Sequence, residues 1–417
     1  MPPRCASGSR CLRACSNCDE SEQAVQPVKI CISGAGIAGP ALAHWLLRQG
    51  HEPTLVEHSP KFRDGGYIID FWGSGYDLAE RMGILPRVLE RGYHVREVRL
   101  VDESGRSAGG FDATALAGVL RGRFVSLPRG ELATIIYETV KDHAETLFGE
   151  SITAVEEDDD RVRLSFRQAA PREFDLLIGA DGLHSNVRRL AFEPNAARQV
   201  FLGYHVAAFE ATGYRPRDEL VYVSFSRPGR QVARFAMRED RTVFMLIFAS
   251  PEPIEAHTPG SQRDLLRKTF GGMGWETDAI LSAMSRADSV YFDGVSQVRA
   301  ASWSAGRVAL IGDAAHCPSL LAGEGCGLAM IDAYVLACEL ARARGDHSTA
   351  FRNYEARLRR FIEGKQRAAS RFAASFAPRT AMGLWVRRWA LSAMRLPGVM
   401  KLLLGRSLRD EVDLSGL

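Results

Sequence analysis

The sequence predicts an α/β protein: a doubly wound nucleotide-binding domain, interrupted by an antiparallel sheet and finished by a helical carboxyl end. Three observations predict it. An apolar run enters Gly34-Ala35-Gly36-Ile37-Ala38-Gly39 near the start. A second apolar run enters Gly312-Asp313-Ala314-Ala315-His316 late in the chain. Between them, residues 199–249 turn to alternating apolar and polar positions, the mark of half-buried antiparallel strands.

Taken in order, residues 28–33 read as a buried strand, 37–48 as a helix and 53–57 as a second strand ending in Glu57, which together make a βαβ unit. A Gly-rich segment follows, Arg63-Asp64-Gly65-Gly66-Tyr67. Residues 78–89 have helical spacing, and 95–102 with 109–111 form a hairpin turning at Ser104-Gly105. Residues 124–127 are strand-like. Pro128-Arg129-Gly130-Glu131 opens a helix through about 140, with Pro where its missing N–H costs little.

Residues 151–156 and 162–166 form a second hairpin, turning at Glu157-Asp158-Asp159-Asp160; residues 175–179 are an apolar strand entering Ala180-Asp181-Gly182. The inserted sheet takes strands over 201–210, 220–226, 232–237 and 242–249, then helical stretches over 265–270 and 279–284. Residues 293–300 lead back to the first domain, and from 325 onward the chain is mostly helical. The resulting division is a nucleotide-binding domain of 27–94, 116–190 and 300–372, an inserted domain of 95–115 and 191–299, and a helical segment of 373–417. Residues 1–26, rich in Arg, Ser, Glu and Cys, read as a disordered extension. Their four cysteines fit no common metal-ligand spacing, so no metal site is expected.

Composition excludes several classes. With 417 residues, 46% hydrophobic and net charge +3, the chain has no field for nucleic acid. No apolar run reaches membrane-span length and the start lacks a secretory signal, so a cytoplasmic protein, monomer or homodimer, is expected.

The glycine trio has a physical reading. Gly34 permits the strand-to-helix turn, Gly36 lets backbone approach a pyrophosphate, and Gly39 lets helix meet strand. The helix start at Ile37 and Ala38 then offers N–H donors and a positive dipole end to phosphate. Glu57, roughly twenty residues on, suits ribose hydroxyls. Asp313 suits a sugar-alcohol hydroxyl, and Gly323-Glu324-Gly325-Cys326-Gly327 opens a helix whose amino end can stabilise charge on a reduced ring. An early and a late nucleotide motif together fit one long dinucleotide, which FAD is. Arg129, at a helix start where a cation adds poorly to the dipole, suits a phosphate.

These elements, in this order, resemble the FAD-dependent aromatic hydroxylases, the single-component monooxygenases typified by para-hydroxybenzoate hydroxylase. The segments Gly274-Trp275-Glu276-Thr277, Tyr291-Phe292-Asp293 and 332–337 are similar to the branch containing the tetracycline-inactivating enzymes. The resemblance implies a Rossmann-like FAD-binding domain with an inserted substrate sheet. It implies that Gly34, Gly36, Ile37, Ala38, Gly39 and Glu57 hold the ADP half, that Arg63 and Arg129 contribute to cofactor binding, and that Asp181 and Gly182 lie near the pyrophosphate. Gly312 and Asp313 would meet the ribityl chain, with Gly323, Gly325, Cys326 and Gly327 under the ring. Two departures stand out: Ser319-Leu320 replaces the usual Ser-Pro, and Gly327 replaces a common Asn.

The reaction implied is hydroxylation of an aromatic or polyketide-like molecule through a flavin C4a-hydroperoxide, with NADPH or NADH as transient reductant and O2 as co-substrate. The flavin carries the chemistry, so no catalytic side chain is required. The inserted sheet would line the substrate pocket, with Tyr222, Phe225, Arg234, Phe235, Met237, Phe244 and Phe248 as candidates; alternation allows only about half to face a cavity. The terminal helical segment would cap the entrance. A flavin-dependent halogenase is the nearest rival, but its Trp-x-Trp-x-Ile-Pro segment is absent. A reductase of the same fold and a flavin-binding regulatory protein are the others.

Overall fold

The computed structural model describes residues 27–62, 67–254, 258–394 and 399. Arg63 and the Cys-rich segment 1–26 lie outside the described residues.

A six-stranded sheet organises the nucleotide-binding domain, in the order Ser304–Ala305, Val308–Leu310, Leu176–Gly179, Lys29–Ser33, Glu52–Glu57, Glu145–Phe148. All neighbours run parallel except the first two. The central strands are buried on both faces, which is why they read as unbroken apolar runs rather than alternating ones. Helix Ala38–Arg48 covers one face, presenting Ala38, Ala41, Leu42, Trp45 and Leu46 at helical spacing to the core. Each large apolar side chain so buried contributes roughly 1.5–3 kcal/mol. Trp45 meets Tyr334 edge-on, joining this helix to Gly325–Ala343.

The helix expected over 78–89 is two helices, Gly73–Arg81 and Leu85–Arg91. Gly83 takes φ +74°, Ile84 N–H reaches Ala79 O and Gly83 N–H reaches Glu80 O. This Schellman-type ending stops the first helix, and Pro86 opens the next. The strand Glu145–Phe148, which completes the sheet edge, went unread because four residues carry too little periodicity.

The inserted sheet has seven strands, in the order Tyr291–Ala300, Ala197–Thr212, Arg241–Ala249, Arg230–Ala236, Val221–Arg227, Glu97–Val101, Ser107–Asp112. It is antiparallel except where Glu97–Val101 joins Val221–Arg227 in parallel. That hairpin arrives from the first domain rather than from its neighbour's turn, so nothing obliges it to reverse. One face of the sheet is closed by helices Pro259–Phe270 and Thr277–Arg286 over Phe209, Phe225, Phe244 and Phe248. The other face looks toward the nucleotide-binding domain. The helix Ala381–Ala393 crosses the Ser107–Asp112 and Val221–Arg227 end of the sheet, with Leu391 against Phe111.

Candidate FAD site

Four sequence motifs follow four neighbouring parallel strands. Gly312 follows Val308–Leu310, Asp181 follows Leu176–Gly179, Gly34 follows Lys29–Ser33, and Glu57 ends Glu52–Glu57. All four therefore open on the carboxyl edge of one sheet, where ligands of open α/β sheets bind. Residues nearly three hundred positions apart become neighbours: a Cβ on Gly312 would lie 3.3 Å from Ala38 Cβ and 3.7 Å from Ala329 Cβ.

The early loop is tight. Gly34 has φ +108°, and a Cβ there would stand 2.4 Å from Ala180 O. A Cβ on Gly39 would stand 2.0 Å from Gly34 O. Gly36 differs: its nearest neighbour would be Arg129 Nη2 at 3.5 Å, with space beside it. Glu57 accepts from Ala35 N–H at 3.0 Å and Ser59 N–H at 2.8 Å, so its carboxylate is fixed at the loop.

Arg129 points into the same hollow, and no carboxylate among the described residues lies within ion-pair distance of it. Burial works against its charge, yet Tyr67, Cys326 and Asp313 nearby hold its pKa above the usual guanidinium value. Burial likewise pushes the Cys326 thiol up to about 11, against the pull of Arg129. Arg129, Asp313, Tyr67, Tyr291 and Cys326 thus face one another around a space left between the two domains. A cation with no carboxylate in ion-pair distance among the described residues, beside Gly36 with room at its Cβ position, fits a phosphate-bearing dinucleotide.

Asp181 is otherwise employed. It accepts from Ser185 Oγ and from the backbone N–H groups of Asn186 and Val187 at 2.8 and 3.0 Å, capping helix Asn186–Ala191. What its turn offers outward is Gly182, which has open space around its Cβ position. The late loop hangs from side chains. Asp332, fully buried, accepts from Gly312 N–H at 2.7 Å and lies 2.9 Å from His316 Nε2, off the hydrogen-bond direction. Gln366 donates to His316 O and Val298 O, and Arg188 to Ala314 O. His316, against the Trp303 ring, is thereby part of the loop's support. Gly323 and Gly325 face open space, Gly325 with Asp313 Oδ1 at 3.8 Å, while Gly327 sits over Gly75.

The candidates on the inserted sheet divide by face. Tyr222 faces the hollow. Phe235 and Met237 share its face but are fully buried against Tyr93 and Val243. Phe225, Phe244 and Phe248 lie on the opposite face under the two helices. Arg234 lies there too, 3% exposed, bonded to Glu276 and Asp218 at 2.8 Å each, so it neither lines the hollow nor faces solvent. Its partners are too remote in sequence to have been paired with it. Residues given no pocket role from the sequence do reach the hollow: Asp70, accessible to water yet so enclosed that desolvation raises its pKa, and Tyr67 and Tyr291, whose rings lie 5.8 Å apart. An acid inside the strand Ile68–Trp72 was the available signal. A narrow cavity joins Asp70 and Trp72 to Glu324 and Gly327. The wider depression lined by Arg96, Arg99, Phe111 and Asp112 lies at the far sheet edge, away from every motif, and Arg99 is neutralised there by Glu97 and Asp218.

Residues 27–365 match the model of the FAD binding domain family. A flavin-dependent monooxygenase of Legionella longbeachae is 34% identical over 351 residues, covering 82% of this chain and 87% of that protein. The chain belongs to this family of FAD-dependent monooxygenases. An uncharacterized protein of Mycobacterium tuberculosis is 37% identical over 339 residues, covering 81% and 91%. The crystal structure of tetracycline destructase Tet(51) superposes with a TM-score of 0.79 at 31% identity, over 88% of this chain and 96% of that one. The fold is thus that of the para-hydroxybenzoate hydroxylase type, with the inserted sheet and terminal helix in place. Among the described residues, no helix is long and apolar enough to cross a membrane.

Proposed function

We propose that this monooxygenase hydroxylates an aromatic or polyketide-like small molecule, using NADPH or NADH as reductant and O2 as oxidant. The observation that carries the reading is the meeting of the early and late glycine loops at one sheet edge, above a hollow roofed by the inner face of the inserted sheet. When bound, FAD supplies the redox chemistry, accepting a hydride and activating oxygen.

The chain's own residues bind and enclose. Gly34, Gly36, Gly39 and Glu57 hold the adenosine half, and Arg129 answers phosphate charge. Asp313 accepts from ribityl hydroxyls. The amino end of Gly325–Ala343 directs its N–H groups and dipole at the ring. Tyr67, Tyr222 and Tyr291 would exclude water from the space beside the ring and line the side where the substrate would lie. The terminal helix closes the far end.

Two experiments test this. Purified protein carries FAD, and Asp313→Ala loses most of it; unchanged flavin content in that variant removes Asp313 from the site. A screen of aromatic compounds, with tetracycline first, finds one that stimulates NAD(P)H oxidation and gains one oxygen by mass spectrometry. A screen in which every compound leaves oxidation at its basal rate counts against the reading.

A further inference from the structure

Arg387 sits on the inner side of helix Ala381–Ala393, whose outer side exposes Met382, Trp385 and Trp389. Its Nη1 donates to Ser226 Oγ at 3.0 Å and to Phe376 O at 2.8 Å. Both acceptors are neutral. No carboxylate among the described residues lies within ion-pair distance, and its Nε and Nη2 donate to no group there. Ser226 and Tyr222 point to the same side of their strand, since alternate residues share a face. Among the described residues, Tyr222 is the titratable group that acts on Arg387, and Asp70 acts on Tyr222 in turn. Burial lowers Arg387 to about 10. The contrast with Arg234 is direct: that guanidinium, on the sealed face, has two carboxylates. Arg387 is half-buried, and its Nε and Nη2, with no protein partner among the described residues, remain free to meet an anion.

Resting on the monooxygenase reading above, we propose that Arg387 anchors an ionised oxygen of the substrate, so that the helix closing the hollow also selects for acidic compounds. The chemistry is a carboxylate or an enolate on an aromatic or polyketide-like frame, held by charge-assisted hydrogen bonds from Nε and Nη2.

The test uses the full-length oxidised holoprotein and follows the absorbance of bound flavin, so it needs no turnover. Two pairs of probes are titrated: naphthoate with its methyl ester, and a hydroxynaphthoquinone, ionised as its enolate at neutral pH, with its methyl ether. The anion of at least one pair binds about tenfold or more tightly than its neutral partner. Arg387→Met removes that preference, Arg387→Lys keeps part of it, and Ser226→Ala, which leaves the charge, keeps it. Whichever pair shows the preference identifies carboxylate or enolate. If Arg387→Met does not fold, Arg387→Gln against Arg387→Lys makes the same comparison. Equal binding within both pairs, no binding by any probe, or a preference that survives Arg387→Met overturns the assignment. Failure of the monooxygenase reading shows separately, as anion preference without any ligand-stimulated NADPH oxidation.

Discussion

The early and late glycine loops do similar work with different materials. The early loop is built from backbone: Gly34 N–H bonds Val56 O at 2.7 Å, and Gly34 and Gly39 touch other main chain where a Cβ would stand. The late loop is suspended from Asp332, Gln366 and Arg188, which reach it from other elements. A loop made of main chain needs glycine for its own packing. A loop hung from side chains can be loosened one side chain at a time. The glycines themselves then sort into two kinds: those whose Cβ position is filled by main chain, and those, such as Gly36 and Gly325, whose Cβ would meet only a side-chain atom at 3.5 Å or more.

The largest break in this comparison is Asp332→Ala. It strips the buried Gly312 N–H of its acceptor and opens a space beside His316, at a cost of up to about 3 kcal/mol. Denaturant unfolding of the apoprotein measures it. A loss under about 1 kcal/mol would mean that the late loop stands without its side-chain supports.

The pair Gly39→Ala and Gly36→Ala sharpens the comparison. The first drives a methyl into main chain and costs about 3 kcal/mol of apoprotein stability. The second leaves apoprotein stability within about 0.5 kcal/mol. Its effect falls on FAD affinity, which drops about tenfold or more, or roughly 1.4 kcal/mol. Thermal unfolding without FAD and flavin titration separate the two. If both variants lose stability equally, the division of glycines fails.

The smallest effect joins the two domains. His184 Nε2 lies 3.1 Å from Asp293 of the inserted sheet, and that hydrogen bond raises the His184 pKa. A raised pKa in the folded state means the contribution is fully present below the unfolded value and fades as pH rises through the folded one. His184 is largely exposed, so the contribution is below about 1 kcal/mol. Asp293→Asn removes this part of the pH dependence of stability, measured between pH values of about 5 and 8.

Legibility followed the same division. The main-chain devices were readable: Gly34, Gly39, Glu57 and Gly312 mark strand ends because tight turns and close approaches admit few residue types. The two-domain plan was readable because doubly buried and half-buried strands have different periods. The suspended parts were not. Nothing local ties Gln366 to His316 or Arg234 to Glu276, since such partners meet only after the chain folds. The face occupied by Phe244 as against Tyr222 depended on register, where a shift of one residue exchanges the two sides of a sheet. Arg387 was one cation in the terminal helical segment, and only the fold shows that no carboxylate among the described residues lies beside it.

The interleaving of the six-stranded sheet sets an order of events in synthesis. Val308–Leu310 enters beside a strand made about 130 residues earlier and brings the late loop to the glycines at the start. A ribosome-bound chain that has extruded only its first two hundred residues holds half a binding site. Flavin capture therefore belongs to the finished polypeptide, and a truncation that spares every early motif but removes this short strand yields a colourless protein.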